Sequence, residues 1–344
     1  MDGLTLGRLF FEQAGRPIIE SVISPDKYAA GLIGWSSEVL GFDDELSRDH
    51  NWGPRFILFL DDEDFASQRA LIDQKLRREL PLEIEGFPTN FGVSPLGDQR
   101  AMQSIEEGPV NHFIEIYQFD EYLRNFLNID PENELGIDDW LQLPEHNLLG
   151  FTEGLVFHDG LGRLEAWRSK LSFYPDVVWY QLMINHWRFI AEEEAFVGRC
   201  AARGDVLGSL LIIGKIVERI KRLVFLMERA YAPYSKWFGL RFMQLEHGPA
   251  LVPFLKEALQ GVSYEAREEA LVKAYQLVAR MHNELGVTPH VEETISLAYK
   301  GRPGLVLHAG RFADAIEQAI GNAWFNQIVT LSNDGASLFQ KTCD

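Results

Sequence analysis

Glycine, serine and acidic residues are concentrated in one segment between two apolar runs near the start of the chain. The segment GWSSEVLGFDDELSRDHNWGPRF, residues 34–56, follows YAAGLI and leads into FILFL. Both apolar runs are typical of buried strands, whereas a hairpin connection takes only about two to five residues. A connection this long and polar, placed between core strands, indicates a loop that carries function.

The first part of this loop has the composition of a phosphate-binding segment. Small residues at Gly34, Ser36 and Ser37 let backbone amides approach a phosphate, and the serine hydroxyls can add hydrogen bonds. A polar loop with capping serines would have the same composition, so this alternative stays open. The acidic run that follows, residues 43–45, is expected to be a solvated part of the loop.

Two carboxylates could complete such a site. Asp49 lies at the entry to the second strand, and Glu115 lies in a later predicted strand, where alternation puts Phe113 and Tyr117 on its face. Carboxylate oxygens and substrate phosphates are the ligands that Mg²⁺ prefers. The residues therefore predict a phosphoryl- or nucleotidyl-transfer site, although a strand carboxylate can also simply face water.

The spacing resembles the pattern of the nucleotidyltransferase superfamily: Gly-Ser, a gap of about a dozen residues, Asp-x-Asp or Asp-x-Glu, then a distant acid. Over much of its length the chain also resembles a family of nucleotidyltransferase-like proteins classed as a domain of unknown function. The segments that carry this resemblance are SSEVLGFDDELSRDHNWGPR, LPEHNLLGFTEGLVFHDGLGRLEAWRSKLSFYP, EEEAFVGR, FLMERAYAPYSKWFG and MHNELG. The segment GLVFHDGLGRLEAWRSKLSFYP is similar to the one that follows the catalytic domain in aminoglycoside-adenylylating nucleotidyltransferases.

The resemblance implies a nucleotidyltransferase domain with an appended helical substrate domain. It implies Mg²⁺ or Mn²⁺ as the cofactor and a nucleoside triphosphate, expected to be ATP, as a substrate. The metal and catalytic positions fall on Asp49, Asn51 and Glu115, and the triphosphate positions fall on Gly34, Ser36 and Ser37.

The chain departs from the superfamily pattern at two positions. The second metal carboxylate is replaced by Asn51, whose carbonyl oxygen can coordinate Mg²⁺ but brings no charge. Trp35 separates Gly34 from the serines. The favoured function is transfer of a nucleoside monophosphate to a small-molecule hydroxyl. The alternative, favoured by Asn51, is a catalytically degenerate nucleotide-binding or scaffold protein.

Basic side chains in the second half of the chain could add phosphate contacts. They are Arg199, Lys215, Arg219 and Arg222, the last three on one face of a predicted helix. In an acidic chain this basic face could act as a triphosphate clamp, but salt bridges within helices are the ordinary explanation. Glu193 or Glu194, close to Arg199, is a candidate general base for the acceptor hydroxyl.

The elements that must position these residues change character near residue 130. Before it, predicted strands and helices interleave, which indicates a mixed sheet with helices, α/β or α+β. After it, long segments have helical periodicity, with Pro175 and Asp205 at expected helix starts and Gly204 and Gly286 at expected ends. We predict a nucleotidyltransferase-like domain at residues 1–130 and a helical substrate or interaction domain at residues 131–344.

The composition limits the partners. The net charge of −19 disfavours nucleic acid and anionic membrane surfaces, and it suits a small acceptor that is cationic. Cys200 and Cys343, the only cysteines, cannot form a disulfide framework. The sequence shows neither a signal peptide nor a run of apolar residues long enough to span a membrane. We therefore predict a cytoplasmic protein.

Overall fold

The chain forms two compact units, Met1–Ser172 and Phe173–Asp344. The structure is a computed structural model that describes residues 1–94, 97 and 99–321. The fold is mixed, with an open sheet and helices in the first unit and mostly helices in the second, as the sequence predicts.

The first unit is organised around four strands of one sheet. The strands of the first unit, four of which form this sheet, are β1 (Tyr28–Leu32), β2 (Arg55–Leu60), β3 (Glu83–Ile84), β4 (Phe87–Pro88), β5 (Phe91–Val93), β6 (Arg100–Met102), β7 (Phe113–Gln118) and β8 (Leu155–Asp159). Its helices are α1 (Gly3–Phe10), α2 (Arg16–Glu20), α3 (Asp62–Glu79), α4 (Phe119–Leu127), α5 (Ile137–Gln142), α6 (Glu145–Thr152) and α7 (Leu164–Lys170). The order in the main sheet is β7-β2-β1-β8, with β2 and β7 parallel and the other neighbours antiparallel.

Alternation along β2 gives the sheet two different faces. Phe56, Leu58 and Leu60 belong to the core formed with the N-terminal helices and α3. The opposite face carries Ile57, which lies beside Glu115 in the parallel register. The predicted carboxylate on β7 therefore lies on the face away from the main core.

The division between the units falls further along the chain than the predicted boundary at residue 130. Strand β8 pairs with β1 through Ala29–Asp159 and Leu32–Leu155, so the first sheet is completed only after that point. The segment that forms β8, LVFHD, is only half-buried and does not alternate between apolar and polar residues, so its sequence does not indicate a strand.

The second unit is a helical assembly with one small hairpin. Its elements are α8 (Asp176–Ala201), α9 (Val206–Met227), α10 (Ser235–Gln244), α11 (Gly248–Gln260), α12 (Tyr264–Glu284), β9 (Ser296–Leu297), β10 (Leu305–Val306) and α13 (Gly310–Ile320). The predicted start signals are confirmed, because Pro175 precedes α8 and the Asp205 side chain accepts the N–H of Gly208 at 2.8 Å. In the core, Trp187 stacks on Phe312.

No helix among the described residues is long and apolar enough to cross a bilayer. Cys200 is half-buried and unpaired, and Cys343 lies outside the described residues.

Candidate functional site

The loop that follows β1 is held tightly at its first residue. Gly34 has a φ of +107°, a conformation that favours glycine, and its N–H donates to the carbonyl of Gly150 at 2.7 Å. A Cβ on Gly150 would lie 2.8 Å from the Gly34 oxygen, so a side chain there would separate the loop from α6. Two glycines thus set the start of the loop against a helix.

Acidic residues inside the loop have structural partners. Glu38 is buried and accepts two hydrogen bonds from the buried Arg55 guanidinium, at 2.6 and 2.8 Å. The Asp43 carboxylate accepts the N–H of Gly3 at 2.7 Å and the indole N–H of Trp52 at 2.9 Å. The prediction of a solvated run is wrong for Asp43, because its carboxylate ties the loop to the start of α1.

The two serines differ in their surroundings. The Ser37 hydroxyl makes a long contact of 3.4 Å to the carbonyl of Ser47. The Ser36 hydroxyl is buried and has no hydrogen-bond partner among the described residues. Because a buried hydroxyl without a partner is costly, Ser36 marks a place where a ligand oxygen would be stabilising.

Asn51 is bonded to the edge of β6. Its backbone N–H donates to the carbonyl of Arg100 at 2.7 Å, and its side-chain Oδ1 accepts the Arg100 N–H at 3.0 Å. Its φ of +51° is one that asparagine tolerates better than most residues. Two residues earlier in the chain, the exposed Asp49 has Oδ1 at 2.8 Å from Nδ1 of His50.

Glu115 is partnered by a neighbour on its own strand. The hydroxyl of Tyr117 donates to Glu115 Oε1 at 3.1 Å, which confirms that the two share a face. Burial, and then the charge of Glu115, raises the pKa of Tyr117 to about 12. Tyr117 is therefore a protonated donor near neutral pH and holds the carboxylate in one orientation.

Contacts across the face of the sheet bring several predicted positions into one neighbourhood. The backbone of Arg100 bonds Asn51, and its guanidinium lies 4.6 Å from the ring of Phe113, two residues before Glu115, so the Arg100 side chain links Asn51 to the start of β7. Two residues after Glu115, the Tyr117 ring packs on Tyr122 with centroids 5.2 Å apart. The Tyr122 hydroxyl lies 3.7 Å from where a Cβ on Gly34 would stand.

Sequence reasoning missed three residues of this neighbourhood: Arg100, Tyr117 and Tyr122. The alternation of FIEIYQ already placed Tyr117 beside Glu115, so that residue could have been assigned a positioning role. Arg100 carries no local signal, because its role depends on pairing with Asn51 across 49 positions of sequence.

The predicted basic residues of the second unit have partners within that unit. Lys215 lies 3.4 Å from Glu193, and Arg222 pairs with Glu218 at 2.9 Å. The Arg219 guanidinium lies 4.5 Å from the centroid of the Phe189 ring. Arg199 stacks in the same way on the rings of Phe196 and Tyr299. These contacts favour packing, and the triphosphate clamp stays a prediction.

Glu194, one of two candidate bases, has a structural role. Its buried carboxyl accepts the N–H groups of Leu307 at 2.9 Å and Ala309 at 3.0 Å, just before α13. Burial raises its pKa to about 7, although these backbone donors act in the opposite direction. The geometry makes Glu194 the anchor of the segment that leads into α13.

The chain is similar to known proteins over part of its length and at low sequence identity. Residues 140–238 match a family described as domain of unknown function (DUF4037). A crystal structure of a nucleotidyltransferase-like protein from Exiguobacterium sibiricum 255-15 is 13% identical, with a TM-score of 0.34 over 80% of this chain and 77% of that chain. No curated protein matches the chain. The family match contains neither the loop at residues 34–54 that carries Ser36 and Ser37, here called the serine loop, nor Glu115, so it leaves the site residues to be judged on geometry.

Proposed function

We propose that the protein is a magnesium-dependent nucleotidyltransferase that transfers a nucleoside monophosphate from a nucleoside triphosphate to a small-molecule hydroxyl. One observation carries the proposal: the buried, unpartnered hydroxyl of Ser36, in a loop clamped at Gly34. A phosphate oxygen placed there would receive a charge-assisted hydrogen bond in a site shielded from water. Tyr122 connects the same loop to the strand that carries Glu115.

The metal would be held by Asp49 and Glu115, with the carbonyl oxygen of Asn51 as a third, uncharged donor. Among the described residues no cluster of three or more His, Cys, Asp or Glu side chains could hold a metal ion. Mg²⁺ commonly binds through one or two carboxylates together with substrate phosphates, so the donor set suits a metal that arrives with its nucleotide. When bound, the ion would neutralise charge on the phosphates.

The chain's own groups would orient the reactants. The acceptor oxygen attacks the α-phosphorus, the bond from that phosphorus to the bridging oxygen breaks, and pyrophosphate leaves. Glu115, which the Tyr117 hydroxyl holds in place, has one of two roles in this proposal: it is the second carboxylate ligand, with the acceptor proton passing to water, or it leaves the metal to Asp49 and Asn51 and takes the acceptor proton itself. Ser36 donates to a phosphate oxygen, and catalysis rests mainly on positioning and charge neutralisation.

Calorimetry with ATP, with and without Mg²⁺, tests the proposal. We expect binding that weakens without Mg²⁺, that Asp49→Ala abolishes, and that Ser36→Ala weakens by roughly tenfold or more. Ser67→Ala is the matched control, because Ser67 is exposed on α3 and donates to the carbonyl of Glu63. Wild-type affinity in both Asp49→Ala and Ser36→Ala would remove the loop from any nucleotide site.

A second function, nucleotide binding without catalysis, is favoured by the bond between Asn51 and Arg100. That hydrogen bond already uses one lone pair of the Asn51 carbonyl oxygen, which leaves the oxygen a weaker donor to a metal. We expect Asn51→Asp to raise the affinity for the metal. If the protein is catalytically active, the substitution should also raise turnover, measured by mass spectrometry across a panel of hydroxyl acceptors. Tighter ATP binding without product in any reaction would support the non-catalytic function.

A further inference from the structure

Trp35 lies in the serine loop and combines exposure with a fixed orientation. The residue is 59% exposed, yet its indole N–H donates to Oδ1 of Asn147 at 2.8 Å. Asn147 is itself buried and donates to the carbonyl of Phe126. Single exposed apolar side chains are ordinary and by themselves indicate no function. Here a buried amide holds the ring edge in one position.

A series of aromatic rings connects Trp35 to Glu115. Trp35 packs on Phe126 with centroids 5.3 Å apart, and Phe126 stacks on Tyr122 at 5.1 Å with an interplanar angle of 17°. Tyr122 contacts Tyr117 at 5.2 Å, and the Tyr117 hydroxyl donates to Glu115. The exposed indole and the carboxylate thus lie at the two ends of one packed row.

Trp35 is also the chain neighbour of the unpartnered Ser36 hydroxyl. Ser36 turns its hydroxyl into the protein, whereas Trp35 turns its ring towards solvent. Because the two residues are adjacent in the chain, a ligand with a phosphate at Ser36 could place its remaining atoms against the indole. The group best matched to an exposed indole surface is a flat aromatic ring, because stacking does not depend on a particular hydrogen-bond pattern.

We propose that Trp35 is a stacking platform for the base of the nucleoside triphosphate, so that the site favours purine over pyrimidine nucleotides. The inference rests on the proposed nucleotide site and assigns it a base-recognition residue. A purine presents the larger ring surface to the indole, which sets the direction of the preference. The phosphate contacts at Ser36 are common to all triphosphates and do not discriminate among them.

Calorimetry with ATP and with inorganic tripolyphosphate, both with Mg²⁺, separates base contacts from phosphate contacts. We expect Trp35→Leu to weaken ATP binding by roughly 5- to 100-fold, the range typical of loss of one stacked base, and to leave tripolyphosphate affinity unchanged. Trp35→Phe should retain most of the ATP affinity. Trp167→Leu, the same substitution at a half-buried tryptophan of the first unit, should change neither affinity.

Three results would overturn the inference. Wild-type ATP affinity in Trp35→Leu would exclude the platform while leaving the proposed function in place. Equal weakening of ATP and tripolyphosphate would mean that Trp35 acts only through the shape of the loop. Absence of binding of both ligands to the wild type would remove the proposed function, and the platform with it.

If Trp35→Leu does not fold, fluorescence of the wild type and of Trp35→Phe decides the question. Quenching by ATP beyond that caused by tripolyphosphate, present in the wild type and reduced in Trp35→Phe, supports the platform. Equal quenching of the two proteins contradicts it.

Discussion

The loop between β1 and β2 and the helix pair α8–α9 contain similar polar and charged side chains. They differ in which of these side chains have partners within the protein. In the loop, Glu38 is satisfied by Arg55, whereas the hydroxyl of Ser36 has no partner among the described residues. In the helix pair, Lys215 contacts an acid and Arg219 an aromatic ring of the same unit.

The comparison shows that residue type alone does not identify a ligand site. Glu194 and the basic side chains of the helices have chemistry that would suit catalysis, yet their contacts hold the helical unit together. Ser36 is chemically ordinary, but its hydroxyl is buried without a hydrogen-bond partner in the described part of the chain. Nε of Arg199 is also buried without one, although its guanidinium lies over two aromatic rings, so burial favours Ser36 only together with the loop around it. Three predictions test this contrast.

The largest expected effect concerns the buried pair of Glu38 and Arg55. Glu38→Leu should lower the free energy of unfolding by about 3–5 kcal/mol, because the guanidinium is left buried without its carboxylate. Denaturant unfolding measures the loss. The double variant Glu38→Leu/Arg55→Met should recover much of it, since no charge then remains buried.

The control for this prediction is Glu45→Leu, which removes an exposed carboxylate of the same loop. We expect it to change stability little. If Glu38→Leu lowered the free energy of unfolding as little as the control does, this pair would not anchor the loop. The contrast between side chains that have a partner in the protein and those that have none would then lose its main support.

The pH dependence of stability tests whether Glu194 is structural. Its carboxyl has a pKa raised from 4.5 to about 7, so between these values the folded protein binds more protons than the unfolded chain. This contribution to stability is fully present below pH 4.5 and is lost as the pH rises through about 7. The shift corresponds to about 3 kcal/mol.

Denaturant unfolding at pH 5 and pH 8 measures this contribution. We expect Glu194→Gln to lose less stability than the wild type between the two values, because it has no proton to release. Glu193→Gln, at the neighbouring position that contacts Lys215, is the matched control and should keep the wild-type dependence. The same dependence in Glu194→Gln as in the wild type would contradict the assignment.

Local patterns predict the parts of the fold in which the determinant is local. The apolar runs of β1 and β2, the alternation of β7 and the cap of α9 at Asp205 are all readable within a few residues. Strand β8 is not, because its half-buried side chains show no clear period and its place depends on pairing with β1.

The same limit explains what the sequence reveals of the candidate site. Glu115 and the serine loop are recognisable from residue type and spacing. The bond of Asn51 to Arg100 spans 49 positions, and that of Trp35 to Asn147 spans 112. Whether a side chain is already engaged depends on such long-range contacts, so the sequence can propose site residues but cannot rank them.

The smallest expected effect is at Arg219, where the two regions are compared most directly. Its guanidinium stacks on Phe189, and such a contact is worth about 0.5–1 kcal/mol when partly exposed. We expect Arg219→Ala to lower the free energy of unfolding by about that amount and to leave the calorimetric affinity for Mg²⁺ and ATP unchanged. A residue that clamps a triphosphate would instead show a loss of affinity of about tenfold or more, with little change in stability.

Arg219→Lys distinguishes the two roles further, because it keeps the charge but replaces the planar group that stacks on the ring. Weaker ATP binding in the alanine variant, recovered in the lysine variant, would show that the charge contacts phosphate and that the contrast between the two regions is wrong.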